Sequence, residues 1–405
     1  MRDVWNNLLA WFRKLGDEDV RLFGRTLKRR VLLLFAAAIV ALAVMVPIVI
    51  TLSNREVSLK YERTDIDPQA DYRVHDGIVF YHAGDAYVSI NPNESTAVEQ
   101  LPLLVDADGY DMTSTSRLLY AGNTAQIYGQ QPFVLNESDT ILAGRAGNRY
   151  AALLFRNPYG DMRIQLVDAT VRSQSSDTLA TSNDIATIPI AGGEVTAFGF
   201  LKASDKQELL WVATVDVNQF SEESIVRVYN CDDKGALMFY SASFYNQTIE
   251  DVLLTKHCLY LVGTQDLVRY DRTDNGFSSE RARVNIYGSR ITDCVESGDG
   301  SSAYFVVMPL TAEGQPQRLF RLLTVSQSDE DWATVLQQFM SSPIVSVFLQ
   351  DNRVCVVTTD TFEQFTYAGK SQLEIELEHT PTDVVACDAS FLLFTDTVVY
   401  RVTVS

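Results

Sequence analysis

Asp106, Asp108 and Asp111, in VDADGYDM, are the first residues whose types and spacing suggest chemistry. Alternating aspartates begin the oxygen cage of an EF-hand calcium loop, but that pattern needs a third ligand where this chain has Tyr110. An Asp-Gly turn between strands accounts for them better. Glu296 and Asp299, in ESGDGSS, read as a hairpin turn for the same reason. Two carboxylates brought together by the fold would suit glycoside hydrolysis, one acting as acid and the other as base. The 48 acidic residues after residue 30 supply many pairs and single out none.

Other catalytic signatures are missing. The sequence has no H-E-x-x-H, no G-x-S-x-G, no S-x-x-K set and no Gly-rich phosphate loop. Its four histidines, His75, His82, His257 and His379, are scattered and read as structural. The five cysteines (Cys231, Cys258, Cys294, Cys355, Cys387) are odd in number and widely spaced, which speaks against a disulfide framework and against C-x-x-C zinc pairs. Most sit in apolar runs such as RVCVVTT, as small buried hydrophobes. Asn93, Asn136 and Asn246 open N-x-[ST] sequons at about the chance frequency for this length. No catalytic residue, cofactor or metal is implied, and the expectation is a protein that is not an enzyme.

The elements that would position a site begin with Val31 to Leu52, 22 residues without a charge, 14 of them Val, Ile, Leu or Phe. At about 1.5 Å per residue such a helix matches a hydrocarbon core of about 30 Å, so one transmembrane helix is expected. Residues 1–30 carry eight basic groups, four of them among the last six positions, which places the N-terminus in the cytoplasm and the rest outside. A cleaved signal peptide is the competing reading, but its apolar region is usually shorter and Thr51-Leu52-Ser53 is a poor cleavage site. Val4, Trp5, Leu8, Leu9, Phe12 and Leu15 fall at helical spacing, an amphipathic leader that lies on the inner leaflet, docks a partner or serves topology alone.

Beyond the leader, 25 basic residues face 48 acidic ones, a net charge of −23 that argues against nucleic acid as a partner. The expected organisation is a cytoplasmic leader at 1–30, the membrane helix at 31–52, a stalk and strand at 53–69 and one large domain at 70–405.

That domain repeats short runs rich in Val, Ile, Leu, Phe and Tyr, separated by polar turns. The exception is Glu330 to Met340, whose spacing allows a helix. The runs group into units of roughly 35 to 55 residues. One unit has VTAFGFL, ELLWVATV, SIVRVYN and ALMFYSA; the next has DVLLT, CLYLVG, LVRYD and RARVNI. Four strands per unit, repeated radially, make a β-propeller. We count eight blades, with seven as the alternative because the second unit is short, and two stacked β-sandwiches as the competing architecture. The last unit has only DVVACD, SFLLFT and VVYRVTV, one strand short, and Val57 to Arg63, VSLKYER, supplies an alternating strand that would close the ring.

The stretch VRVYNCDDKGALMFY, followed by IEDVLLTKHCLYLVGTQDLVRYD, resembles the repeats of quinoprotein-like and WD40-like propellers. Leader, single membrane helix and external propeller together resemble a domain-of-unknown-function group of membrane-anchored propeller proteins of Gram-positive anaerobic bacteria. The resemblance implies a fold and a place at the cell membrane, with the C-terminal domain extracellular, and carries no catalytic residues. The WD40 Gly-His and Trp-Asp pairs are missing, and outside the membrane only Trp211 and Trp332 occur, too few for the tryptophan ring of a quinone dehydrogenase. The expected function is a binding scaffold for an envelope protein or a wall polysaccharide, with a propeller-type glycan hydrolase or lyase as the alternative.

Overall fold

In the computed structural model of this protein, the described residues are 19–22, 25–28 and 57–405, less short loop segments of which 171–183 is the longest. The expected leader helix, the span at 31–52, Asn93, Asp106 and Trp332 lie outside the described residues. Among the described residues no helix is long and apolar enough to cross a membrane. Two units divide the chain. In the first, Asp19–Leu22 pairs antiparallel with Arg25–Lys28, Asp19 opposite Lys28, a pairing the sequence analysis did not anticipate.

The second unit, Leu59–Val404, holds eight four-stranded sheets among the described residues, seven of them paired in sequence order. Seven are continuous: 72–102, 109–134, 140–189, 194–245, 249–285, 289–339 and 344–376, blades 1 to 7. Blade 8 takes three strands from 383–404, and its fourth is Leu59–Arg63, which runs antiparallel to Val399–Val404 with Leu59 opposite Val404. The protein is an all-β, eight-bladed β-propeller. Blade 2 is short because its outer strand is only Phe133–Val134.

Each sheet lies between two others, so its middle strands must be apolar on both faces. Cys258–Gly263, CLYLVG, and Ser390–Phe394, SFLLF, are buried at every position. Eight apolar clusters fill the eight gaps between neighbouring blades. One joins Val79, Val88 and Ile90 of blade 1 to Leu392, Phe394 and Val399 of blade 8, so the series of sheets returns on itself. A fully buried Leu or Phe contributes about 1.5 to 3 kcal/mol, and these gaps gather most such side chains.

The helix allowed at Glu330 to Met340 is not formed. Ala333–Phe339 is the outer strand of blade 6, paired from Leu319↔Phe339 to Val325↔Ala333. A helix there would leave one edge of Leu319–Ser326 without ladder partners, and the β-branched Thr334 and Val335 suit the strand.

Candidate functional site

The strand registers define two faces. In blade 3, Thr140 at the start of the first strand lies opposite Arg156, and Ala146 at its end lies opposite Ala151. The face where first strands begin therefore carries the second-to-third hairpins and the links between blades. The opposite face carries the first-to-second hairpins. Leu59, opposite Val404, brings the chain into the ring on that opposite face.

Among the described residues, the four most exposed aromatic side chains are Tyr159 (91%), Tyr287 (74%), Phe339 (67%) and Tyr245 (61%). Each is in a hairpin, link or strand end of the face where first strands begin. Leu310, in the hairpin of blade 6, joins them.

The first strands form the inner ring, and they are laced to one another. Five consecutive ones share a one-residue bulge, between Ile141 and Ala143, Val195 and Ala197, Ile249 and Asp251, Ile291 and Asp293, and Ile344 and Ser346. A bulge re-aims the side chains beside it. Asp293 Oδ1 accepts the Cys294 N–H and Oδ2 the Leu349 N–H of blade 7, both at 2.7 Å. Asp111 accepts the Ala146 N–H of blade 3 at 2.8 Å, and the Thr196 hydroxyl donates to the Ile249 carbonyl of blade 5 at 3.3 Å. Tyr72 of blade 1 donates to Asp383 of blade 8, and Gln350 donates to the Cys387 carbonyl at 2.7 Å. The inner carboxylates therefore serve largely to join blades. Asp251, exposed on the inner strand beside Glu250, accepts the Val252 N–H at 2.7 Å; surrounding protein pushes its carboxyl, like that of Asp293, above the usual range, and adjacent Glu250 adds to the rise.

A cleft of about 640 Å³ opens on the face where the chain enters, between the first strands of blades 2, 3 and 4. Its floor is organised by Glu208, only 4% exposed, on the second strand of blade 4. Its carboxylate accepts the N–H groups of Asn148, at 2.7 Å, and Arg149, at 3.0 Å, both in the first hairpin of blade 3. The hairpin comes this close because residue 147 is glycine: a Cβ there would stand 2.8 Å from the Glu208 carboxyl. Arg145 projects from the same hairpin arm, its guanidinium 5.4 Å from the Phe198 ring centroid and one N–H on the Gly144 carbonyl at 3.0 Å. Arg149 pairs with Asp232 at 2.8 Å. Thr113, Thr115, Asn148, Phe200 and Lys202 complete the walls that matter to a ligand.

The structure disperses most of the residues that drew attention in the sequence. Asp108 accepts the Gly122 N–H at 3.1 Å, as a turn residue does. Of the two described members of that trio, Asp111 is the one that reaches the cleft. Asp299 accepts from Ser297 and Ser301 within its hairpin, and these bonds hold its carboxyl down at about 2. Glu296 instead accepts the Lys256 N–H of blade 5 at 3.0 Å. His257 is exposed beside Gly300, while His379 stacks on Tyr400 with ring centroids 4.3 Å apart. All five cysteines are free thiols, four of them buried and Cys294 partly so. Burial pushes Cys258 up to about 11 and Cys355 up to about 12. Trp211 packs in the gap between blades 4 and 5. The inner-ring aspartates were missed, though the repeated Ile-x-Asp of IED and ITD, beside VTA and IVS in the same register, carried the signal.

No protein-family model and no curated protein matches the chain. Solved structures do match in fold. The WD40 domain of SCAP from fission yeast has 8% identity and a TM-score of 0.51, over 86% of this chain and 98% of that one. BamB from Moraxella catarrhalis has 9% identity and a TM-score of 0.46, over 86% of this chain and 99% of that one. Prolyl oligopeptidase B from Galerina marginata has 11% identity and a TM-score of 0.45, over 83% of this chain and 47% of that one. At such identities the likeness speaks to the fold alone.

Proposed function

We propose that the protein is a non-enzymatic binding platform: a propeller closed into a ring by Leu59–Arg63, held at the outer surface of the cytoplasmic membrane by a helix at 31–52, and presenting its loops to an envelope protein or a wall polysaccharide. The carrying observation is the gathering of Tyr159, Tyr245, Tyr287 and Phe339, all highly exposed, on one face. Interface centres favour tyrosine and phenylalanine, which supply large contact area at low conformational cost. Leu59, where the described chain enters the ring, lies on the other face. The use of Asp111, Asp293 and Asp383 to join blades supports a structural inner ring rather than a catalytic one.

A second reading, a glycan hydrolase or lyase, is favoured by one feature, the raised carboxyl of Asp251 beside Glu250. Two experiments test the platform. Protease added to intact cells should degrade residues 57–405 and spare the leader. Crosslinking of the full-length chain in its native membrane, followed by mass spectrometry, should yield one envelope partner or wall glycan. A protected propeller, or turnover of glycan abolished by Glu250→Gln, would overturn the proposal.

A further inference from the structure

We infer that the cleft between blades 2, 3 and 4 is a binding site for a carbohydrate that carries an oxyanion, a carboxylate or a phosphate ester, gripped by Arg145. The cleft opens on the face opposite the aromatic one, so this goes beyond the platform reading and names a second site.

Charge balance comes first. Beyond residue 30 the chain carries −23, yet the cleft gathers Arg145, Arg149 and Lys202 beside two described carboxylates, Asp111 and Glu208. Both carboxylates are already occupied. Glu208 takes two backbone N–H groups, and Asp111 takes the Ala146 N–H and lies 3.4 Å from Arg73. Arg149 is neutralised by Asp232. Arg145 is the exception. Among the described residues it has no carboxylate partner; it rests over Phe198 and spends one N–H on the Gly144 carbonyl. A half-buried guanidinium with most of its fork unspent, in an acidic protein, is set up to take a planar oxyanion by two parallel hydrogen bonds.

The rest of the cleft suits a sugar. Asn148 and Gln207 offer amides for hydroxyl groups, Lys202 stands at the exposed rim, and Phe200 gives an apolar wall for a ring face. A volume of about 640 Å³ lies within the range of small-molecule sites, about 300 to 1,000 Å³. The site is also rigid, because Glu208 fixes the hairpin that carries Asn148.

The test is calorimetric titration of the full-length protein, in detergent at constant ionic strength, with glucuronate, glucose 6-phosphate and glucose. Saturable binding of one or both anions, with glucose far weaker, is expected, and which anion binds identifies the source as a uronic acid or a phosphate ester. Arg145→Ala should weaken that binding about ten-fold, the loss of one charge-assisted contact. Arg145→Lys keeps the charge without the fork and should fall between the two. Lys202→Gln, an exposed position that does not threaten folding, should weaken binding less. Equal binding of glucose, no saturable binding of either anion, or unaltered affinity in folded Arg145→Lys and Lys202→Gln would overturn the inference. A protein that captures an envelope partner yet ignores both anions would defeat the cleft and leave the platform standing.

Discussion

Glu208→Ala removes the carboxylate that ties blade 4 to the first hairpin of blade 3. Its two bonds, at 2.7 and 3.0 Å, join a charged acceptor to backbone donors, and each such bond is worth about 1.5 to 3 kcal/mol. Asn148 and Arg149 are only half-buried, so water partly replaces the lost acceptor, and the cost should settle at about 3 kcal/mol. For a domain this large, roughly 1 to 2 °C per kcal/mol follows from the size scaling, a fall in Tm of about 3 to 6 °C. Calorimetry should be paired with amide exchange, where residues 147–149 lose protection while blades 5 to 8 do not. Glu194→Ala is the control: its pairing with Arg156 at 3.2 Å is mostly exposed and should cost under about 1 kcal/mol. Gly147→Ala drives a Cβ against the Glu208 carboxyl in the parent, so its penalty should shrink in the Glu208→Ala background. Glu208→Ala no more costly than Glu194→Ala, or additivity with Gly147→Ala, would refute the reasoning.

Further expectations concern the inner ring and the buried thiols. Crowding raises the Asp251 carboxyl in the folded state, so between its unfolded and folded values the folded protein holds more protons and stability falls as pH rises. Asp251→Asn escapes that penalty and should melt higher than the parent at neutral pH, with the gain shrinking as pH is lowered. Asp293→Ala loses acceptors for the Cys294 and Leu349 N–H groups and should cost about 2 to 4 kcal/mol in denaturant titration, while Asp293→Asn, keeping one acceptor, should cost less. Cys258 and Cys355, raised to about 11 and about 12, should resist a chromogenic disulfide reagent at neutral pH and react on unfolding.

The strand runs were legible because both sides of every middle strand must be apolar, which leaves an unbroken signal in CLYLVG or SFLLF. Outer strands are less legible, since one edge and much of one face meet water. Ala333–Phe339, with its exposed Val335, Gln337 and Phe339, therefore admitted a helical period, and the pairing partner decided the matter. The cleft was invisible for a different reason. Arg145, Glu208 and Asp111 come from three blades, and their relation arises from blade packing rather than from spacing along the chain. Gly147 looks like any turn glycine until the carboxylate pressed against it is seen.

The central claim is that this propeller binds through its aromatic face. It is tested most directly by placing a photo-crosslinking amino acid, one position at a time, at Tyr159, Tyr245, Tyr287 and Phe339, and at Tyr128 and Met238 near the other face, in the full-length protein in its native membrane. One partner captured from the first four positions and not from the last two is the predicted result. Equal capture from both sets, or none from the aromatic four, would contradict it.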